Sequence, residues 1–235
     1  MPEDGRRSRA TTAVIPHIDQ AVDDVVALVA RALPRRAAAG VTMRRAGAAA
    51  TIAASAPLVV RVGEIVGERR AGPEWDAVAA AAVVSVPDLA GESRWDDYPA
   101  RALALGIRSV HSHPVHDGNT PVATLDLYAP QPDAFDDGIR QTVAISARHI
   151  ERLLHAAHLS RMNEQLRQAL SSRSTIDQAV GILMGRRHCG REQAFEFLRA
   201  ASQHHNVKLA VLAADIVTRV SGSAPEPAHF DVPGR

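Results

Sequence analysis

Apolar and polar residues alternate along this chain with a period that changes several times. In "HIDQAVDDVVALVARAL" the residues Ile18, Ala21, Val22, Val25, Val26, Leu28 and Val29 gather on one side of a helical wheel, with Asp19, Asp23 and Asp24 outside. That spacing predicts a first helix. After Pro34, "AAGVTMRRAG" and "AAATIAASAP" read as two strands of a hairpin turning near Ala46-Gly47. Helical spacing returns in "LVVRVGEIVGE" and in "GPEWDAVAAA", where Pro73 suits a first turn. Next come a strand-like "AVVSVPDL", a short helix in "WDDYPARALALG" ended by Gly106, and two alternating runs, "IRSVHSHPVHDG" and "TPVATLDLYAP", joined at Asp117-Gly118-Asn119. This order predicts an α+β fold around an antiparallel sheet flanked by helices.

From Ile139 to Val180 there is neither Pro nor Gly, longer than an ordinary globular helix requires. Ile139, Val143, Ser146, Ile150, Leu153 and Ala157 follow alternating four- and three-residue steps. Leu159, Met162, Leu166, Ala169, Arg173, Ile176, Val180 and Leu183 continue them after a one-residue offset near His158 to Ser160. Two packings are open to such a helix, one along its own sheet and one against a second copy of the chain. The sustained heptad spacing favours the homodimer.

Three helical patterns follow in "STIDQAVGILMGRR", "REQAFEFLRAASQHH" and "VKLAVLAADIVTRV", with Gly190 and Asn206 as N-caps. In the middle helix Ala194, Phe197, Leu198, Ala201 and Ser202 are expected inward, with Phe195 at the border. In the last, Leu209, Leu212, Ala213, Ile216 and Val220 form the inward stripe. Within the first, Gly181 and Gly185 group with Gln178 away from the apolar seam. Each glycine costs a helix interior about 1 kcal/mol relative to Ala. They open a second face to a close neighbour, either another helix or a nucleic-acid backbone.

Composition narrows the function. The 235-residue chain is 46% hydrophobic, enough for real cores, and its formal charge of +1 excludes a broadly basic polymer binder. Charge is nevertheless uneven: residues 161–219 hold nine Lys or Arg and five Asp or Glu, a balance of +4, leaving −3 for the remainder. A local phosphate-binding surface is therefore expected in the C-terminal third. The single cysteine, Cys189, excludes an intramolecular disulfide framework. No apolar run is long enough for a membrane span, so a cytoplasmic protein without membrane contact is expected. Residues 1–16 and 223–235 read as weakly ordered ends.

The stretch "IDQAVGILMGRRHCGREQAFEFLRAASQHHNVKLAVLAADIV" closely resembles the ANTAR module, a three-helix RNA-binding domain of bacterial antitermination regulators. The likeness lies in Ile176, Gln178-Ala179, Gly181, Leu183-Met184, Ala194-Phe195, Leu198-Arg199, Ser202, Asn206, Lys208-Leu209 and Ala213. Two positions depart from it: relatives often carry Lys where Val180 stands and a Ser or Thr cap where Gly190 stands. The resemblance implies that a dimer binds paired RNA stem-loops so that transcription continues past a terminator. On that reading Arg186, Arg187, Arg199 and Lys208 hold loop phosphates, Gln178, Ser202 and Asn206 address splayed bases, and Gly181 allows close approach.

Residues 17–155 resemble the GAF sensor fold through "AGVTM", "GPEWDAV", "VPDLAGESRWDDYPARALALGIRSV" and "TPVATLDLYAPQPDAFDD". The resemblance implies a small-molecule pocket of unknown ligand and unknown cofactor. His111, His113 and Asp126 are the candidate pocket residues, since the two histidines share a strand face and Asp126 alternates with Leu125 and Leu127. With His116 the histidines make a metal or haem ligand set conceivable, but no further donor is placed by sequence and no metal is assigned. Glu74, Asp88, Asp96 and Asp97 could form an acidic site, although helix and strand ends are their simpler home. No P-loop, nucleophile elbow or kinase motif is present, and an enzyme is not expected.

The resulting plan is a GAF domain at 17–155, a linking coiled-coil helix at 135–172 and a three-helix ANTAR bundle at 160–222. The alternative is a sensor, dimerisation or protein-interaction module that binds no RNA.

Overall fold

The computed structural model describes residues 16–45 and 48–225. The expected hairpin turn at Ala46-Gly47, nearly all of the N-terminal arm and residues 226–235 of the tail lie outside the described residues. Two compact units divide the chain, residues 1–158 and 159–235.

In the first unit, helix α1 (Pro16–Ala32) leads into strands β1 (Ala38–Arg45) and β2 (Ala48–Ala54). Helices α2 (Pro57–Arg69) and α3 (Pro73–Ala80), strand β3 (Val84–Val86) and helix α4 (Tyr98–Ala104) follow, then strands β4 (Ser109–Asp117) and β5 (Thr120–Ala129). Each of α2, α3 and α4 has a proline in its first turn, where a missing N–H leaves no helical bond unmade. The five strands form one sheet in the order β2-β1-β5-β4-β3, with every pairing antiparallel.

Strand alternation divides the unit into two cores. Val41, Val115, Leu125 and Leu127 face α1 and the start of α5 (Asp137–Arg187), meeting Val22, Val26, Val143, Ile150 and Leu154. On the other face Val110 and Tyr128 meet Val59, Val62 and Val66 of α2 and Tyr98 of α4. Close approach of α2 to the sheet depends on two glycines. A Cβ at Gly40 would lie 2.3 Å from Val59 Cγ1, and one at Gly63 would lie 2.1 Å from Thr51 Oγ1.

Helix α5 is continuous over 51 residues, so the expected linking helix and the first helix of the C-terminal bundle are one element. Its first heptad series does not await a second chain. Val143, Ser146, Ala147, Ile150, Leu154 and Ala157 are buried within the first unit, against the sheet and α1. Beyond the unit boundary Leu159, Met162, Leu166 and Leu170 are exposed, at 53%, 47%, 60% and 45%.

The second unit comprises the end of α5 with α6 (Arg191–His204) and α7 (Leu209–Ser221). Its core is small: Ala179, Val180, Ala194, Leu198, Ala213 and Val217. Three expectations are corrected here. Phe197 is 43% exposed, because Ala194 and Leu198 already fix the inward face of α6 and Phe197 lies about 100° around from Leu198. Val217 rather than Val220 completes the α7 stripe, with Val220 44% exposed. Lys208, not Asn206, is the N-cap of α7, while Asn206 turns the chain with a left-handed φ of 51°.

Candidate RNA interface and sensor cavity

The inner face of the sheet carries polar residues where a sandwich layer normally carries apolar ones. Strand pairing sets Ser112 beside Asp126 and Thr42 beside Thr124, so all four side chains point toward α3. They are buried, as is Glu74 of α3. Tyr128 donates its hydroxyl to Glu74 Oε1 at 2.6 Å, with Tyr98 at 3.5 Å, and Thr124 donates to Asp126 Oδ2 at 2.8 Å. The other Glu74 oxygen, Oε2, lacks a hydrogen-bond partner, whereas Asp126 is also served by the Ser112 and Thr42 side chains. Burial pushes both carboxyl groups above their ordinary range, and the charge of Glu74 raises Asp126 further. A cleft beside Glu74 is also lined by Trp75, Arg44, Thr42, Val66 and Val78, and the Arg44 guanidinium sits 5.1 Å from the Trp75 ring centroid.

His111 and His113 do not join Asp126. The pairing of His111 with Leu127 and of Ser112 with Asp126 puts the histidines on the opposite face, toward α5. Sequence alternation already separates odd from even positions of one strand, but pairing between strands decides which sides coincide. Ser85 Oγ and His111 Nδ1 are 2.7 Å apart, and burial lowers His111 to about 4, helped by the charges of His113 and Arg140. His113 is lowered too, chiefly by burial. His116 turns to Glu151, with Nδ1 2.9 Å from Oε1. Among the described residues no His, Cys, Asp or Glu group is arranged to hold a metal.

The other acids stay apart. Asp88 accepts from Ala90 N–H and from Arg108 Nε at 2.8 Å, and the Arg108 guanidinium holds its carboxyl down at about 2. Asp97 pairs with Arg69 at 2.6 Å. These are element ends held by ion pairs.

In the C-terminal unit Gln178, Gly181, Arg186, Arg187, Arg199 and Lys208 are all exposed. A Cβ placed on Gly181 or Gly185 would meet nothing within 4 Å, so neither glycine serves packing among the described residues. Arg186 and Lys208 have no acidic partner among the described residues, and Arg199 has only a loose contact with Glu196 at 3.7 Å. The Arg187 guanidinium stacks 4.5 Å from the Phe197 ring centroid. Ser202 donates its hydroxyl to the Val207 carbonyl at 2.6 Å, which ties the turn between α6 and α7 and leaves Ser202 acceptor capacity alone for a ligand. Val180 is 2% exposed and belongs to the bundle core.

Sequence reasoning missed Phe197 as a surface group, 43% exposed, while Phe195, expected at the border, is 38% exposed. Residues two apart on a helix cannot share one face, so the Phe-Glu-Phe spacing was the available signal.

The GAF domain family model matches residues 17–155, more than half of the chain, and the ANTAR domain model matches residues 164–217. The chain belongs to the GAF domain family and carries an ANTAR domain. No curated protein matches this GAF–ANTAR chain. Among solved structures it is similar to the domain of a protein described as a two-component sensor histidine kinase from Sinorhizobium meliloti 1021. That match has TM-score 0.51 and 14% identity, over 66% of this chain and 99% of the other. It speaks to the fold alone. The GAF domain region of a Geobacter sulfurreducens PCA membrane protein gives TM-score 0.49 at 12% identity, over 59% and 93% of the two chains. A type II free methionine-R-sulfoxide reductase from Thermoplasma acidophilum gives 0.47 at 16% identity, over 60% and 94%. Neither carries an activity to this chain. An ANTAR domain points to RNA-binding antitermination regulation, and a GAF domain to sensing. No described helix of this GAF–ANTAR protein is long and apolar enough to cross a membrane.

Proposed function

We propose that this GAF–ANTAR protein is a signal-responsive transcription antitermination regulator of the cytoplasm, whose dimeric ANTAR domain binds paired RNA stem-loops. The observation that carries the reading is the exposed combination of cation, aromatic ring and bare helix face in the C-terminal unit. Arg186, Arg187, Arg199 and Lys208 supply positive charge for phosphates, and Phe195 and Phe197 supply rings on which unpaired loop bases stack. Gln178 stands beside the open Gly181 and Gly185, where a nucleic-acid backbone can approach closely.

The exposed stripe of Leu159, Met162, Leu166 and Leu170 supports self-association along α5, which presents two RNA-binding modules to two stem-loops. Ligand binding in the GAF domain acts on RNA affinity through α5, the element shared by both units.

The test is binding of the full-length protein to a paired stem-loop RNA, to loop mutants and to duplex DNA at two salt concentrations, with transcription through a terminator as the functional readout. Loop-dependent affinity that falls with salt supports the reading. Absence of binding by full-length protein and by an ANTAR fragment overturns it in favour of a dimerisation module, the reading that the leucine stripe alone would support.

A further inference from the structure

The sensor unit holds a carboxylate and an aromatic ring around one cleft, and neither is fully used. Glu74 is 3% exposed and lines the cleft, yet its Oε2 has no hydrogen-bond partner. A buried carboxyl oxygen left this way is costly and is normally met by a donor. Asp126, 0% exposed on the facing strand, is a second buried acid, held by the Thr124, Ser112 and Thr42 side chains. Among the described residues no Lys, Arg or His forms an ion pair with either acid. At the same cleft Trp75 already receives a cation, the Arg44 guanidinium at 5.1 Å from the ring centroid. The walls, Val66 and Val78, are apolar, and the room left between them is about 10 Å³, space for about one water while Arg44 covers the ring.

We propose that this cleft binds a small organic cation, a primary alkylammonium or alkylguanidinium of a few heavy atoms, between the Glu74 carboxylate and the Trp75 ring. The ligand's N–H groups donate to Glu74 Oε2, its charge rests on the ring face, and its short alkyl portion lies against Val66 and Val78. Neutral donors satisfy the oxygen without using the ring, and anions meet a buried acid, so charge sets the selectivity. Arg44 is the resident competitor for the ring and is displaced when the ligand enters. The room of about 10 Å³ admits a ligand of a few heavy atoms only in the space that Arg44 vacates, and nothing of drug or nucleotide size. The inference rests on the sensor reading of the GAF domain and names the class of signal that domain takes.

The experiment is isothermal titration of the full-length protein with ethylammonium and ethylguanidinium chloride, against ethanol, ethylurea and sodium propionate of matching size, at constant ionic strength. The two cations are expected to bind saturably and the other three not. Glu74→Gln is expected to weaken cation binding at least tenfold. Arg44→Met, which frees the ring, is expected to strengthen it at least threefold, a change of sign that general damage to the fold does not produce. Should Glu74→Gln fail to fold, Arg44→Met decides the matter. Unchanged or weaker binding in that variant overturns the inference. Binding of ethylurea or propionate but not of the cations overturns the cation class and leaves the sensor reading in place. Binding of none of the five overturns the inference at this cleft. Cation binding that leaves stem-loop RNA affinity unchanged supports the site and removes the sensor reading instead.

Discussion

Tyr128 of the central strand β5 donates its hydroxyl to Glu74 Oε1 of α3 at 2.6 Å, with both residues closed off from solvent. The bond ties the sheet to the helix that carries the cleft. Tyr128→Phe leaves Glu74 with one long contact, from Tyr98 at 3.5 Å. A loss of about 1–3 kcal/mol in urea unfolding is expected. In a Glu74→Gln background the same change should cost less, because the two residues act as a pair.

Stability should fall on both sides of a maximum, for separate reasons. His111 is held neutral by burial, with its pKa lowered from 6.5 to about 4, so the unfolded chain binds a proton that the folded chain refuses. Its contribution is complete above about 6.5 and is lost as pH falls toward 4, on the order of 2–3 kcal/mol. Glu74 and Asp126 are raised by burial, so their contribution is present below the ordinary carboxylate range and is lost as pH rises through their folded values. Asp126→Asn should therefore raise the thermal midpoint at pH 8 more than at pH 5. Equal shifts at both values would contradict an elevated Asp126.

The basic residues of the C-terminal unit should separate charge from stacking. Arg186→Gln and Lys208→Gln are each expected to lower the slope of log affinity against log salt by about 1, with little change in fold stability, since both side chains are exposed. Phe195→Ala is expected to cost about 1–3 kcal/mol of RNA binding and to leave the salt slope unchanged. A filter-binding or fluorescence titration across salt concentrations reads both.

Gly181 allows a test with two opposite signs. A Cβ there meets nothing within 4 Å, so Gly181→Ala should stabilise the helix by about 1 kcal/mol in denaturant unfolding. Where that face meets RNA, the same change should weaken stem-loop binding. A stabilised variant with unaltered RNA affinity would remove Gly181 from the interface.

Self-association can be read from the stripe on α5. Leu166 is 60% exposed, so Leu166→Lys should leave the chain folded. Analytical ultracentrifugation is expected to show a weakened dimer, whereas His149→Ala, an exposed position on the part of α5 that packs on the sheet, should have no effect.

Local pattern was enough for much of this. The period of two in β4 and β5, the prolines opening α2 and α3 and the heptad run of α5 are properties of short segments, so the α+β plan, the long helix and the terminal bundle were legible in sequence. The exposed cations and Gly181 of the candidate interface were legible as well, because charge and a missing Cβ need no partner to be recognised. Tertiary structure decided what depends on register and on which face a neighbour claims. Pairing across the sheet put Asp126 with Ser112 and Thr42 with Thr124, and so sent His111 and His113 to the opposite core. The short bundle core, filled by Ala194 and Leu198, turned Phe197 outward to Arg187. Glu74, one of two acids in the first turn of a helix by sequence, became a buried carboxylate facing the sheet only because α3 packs there, 54 residues away from the tyrosine that donates to it.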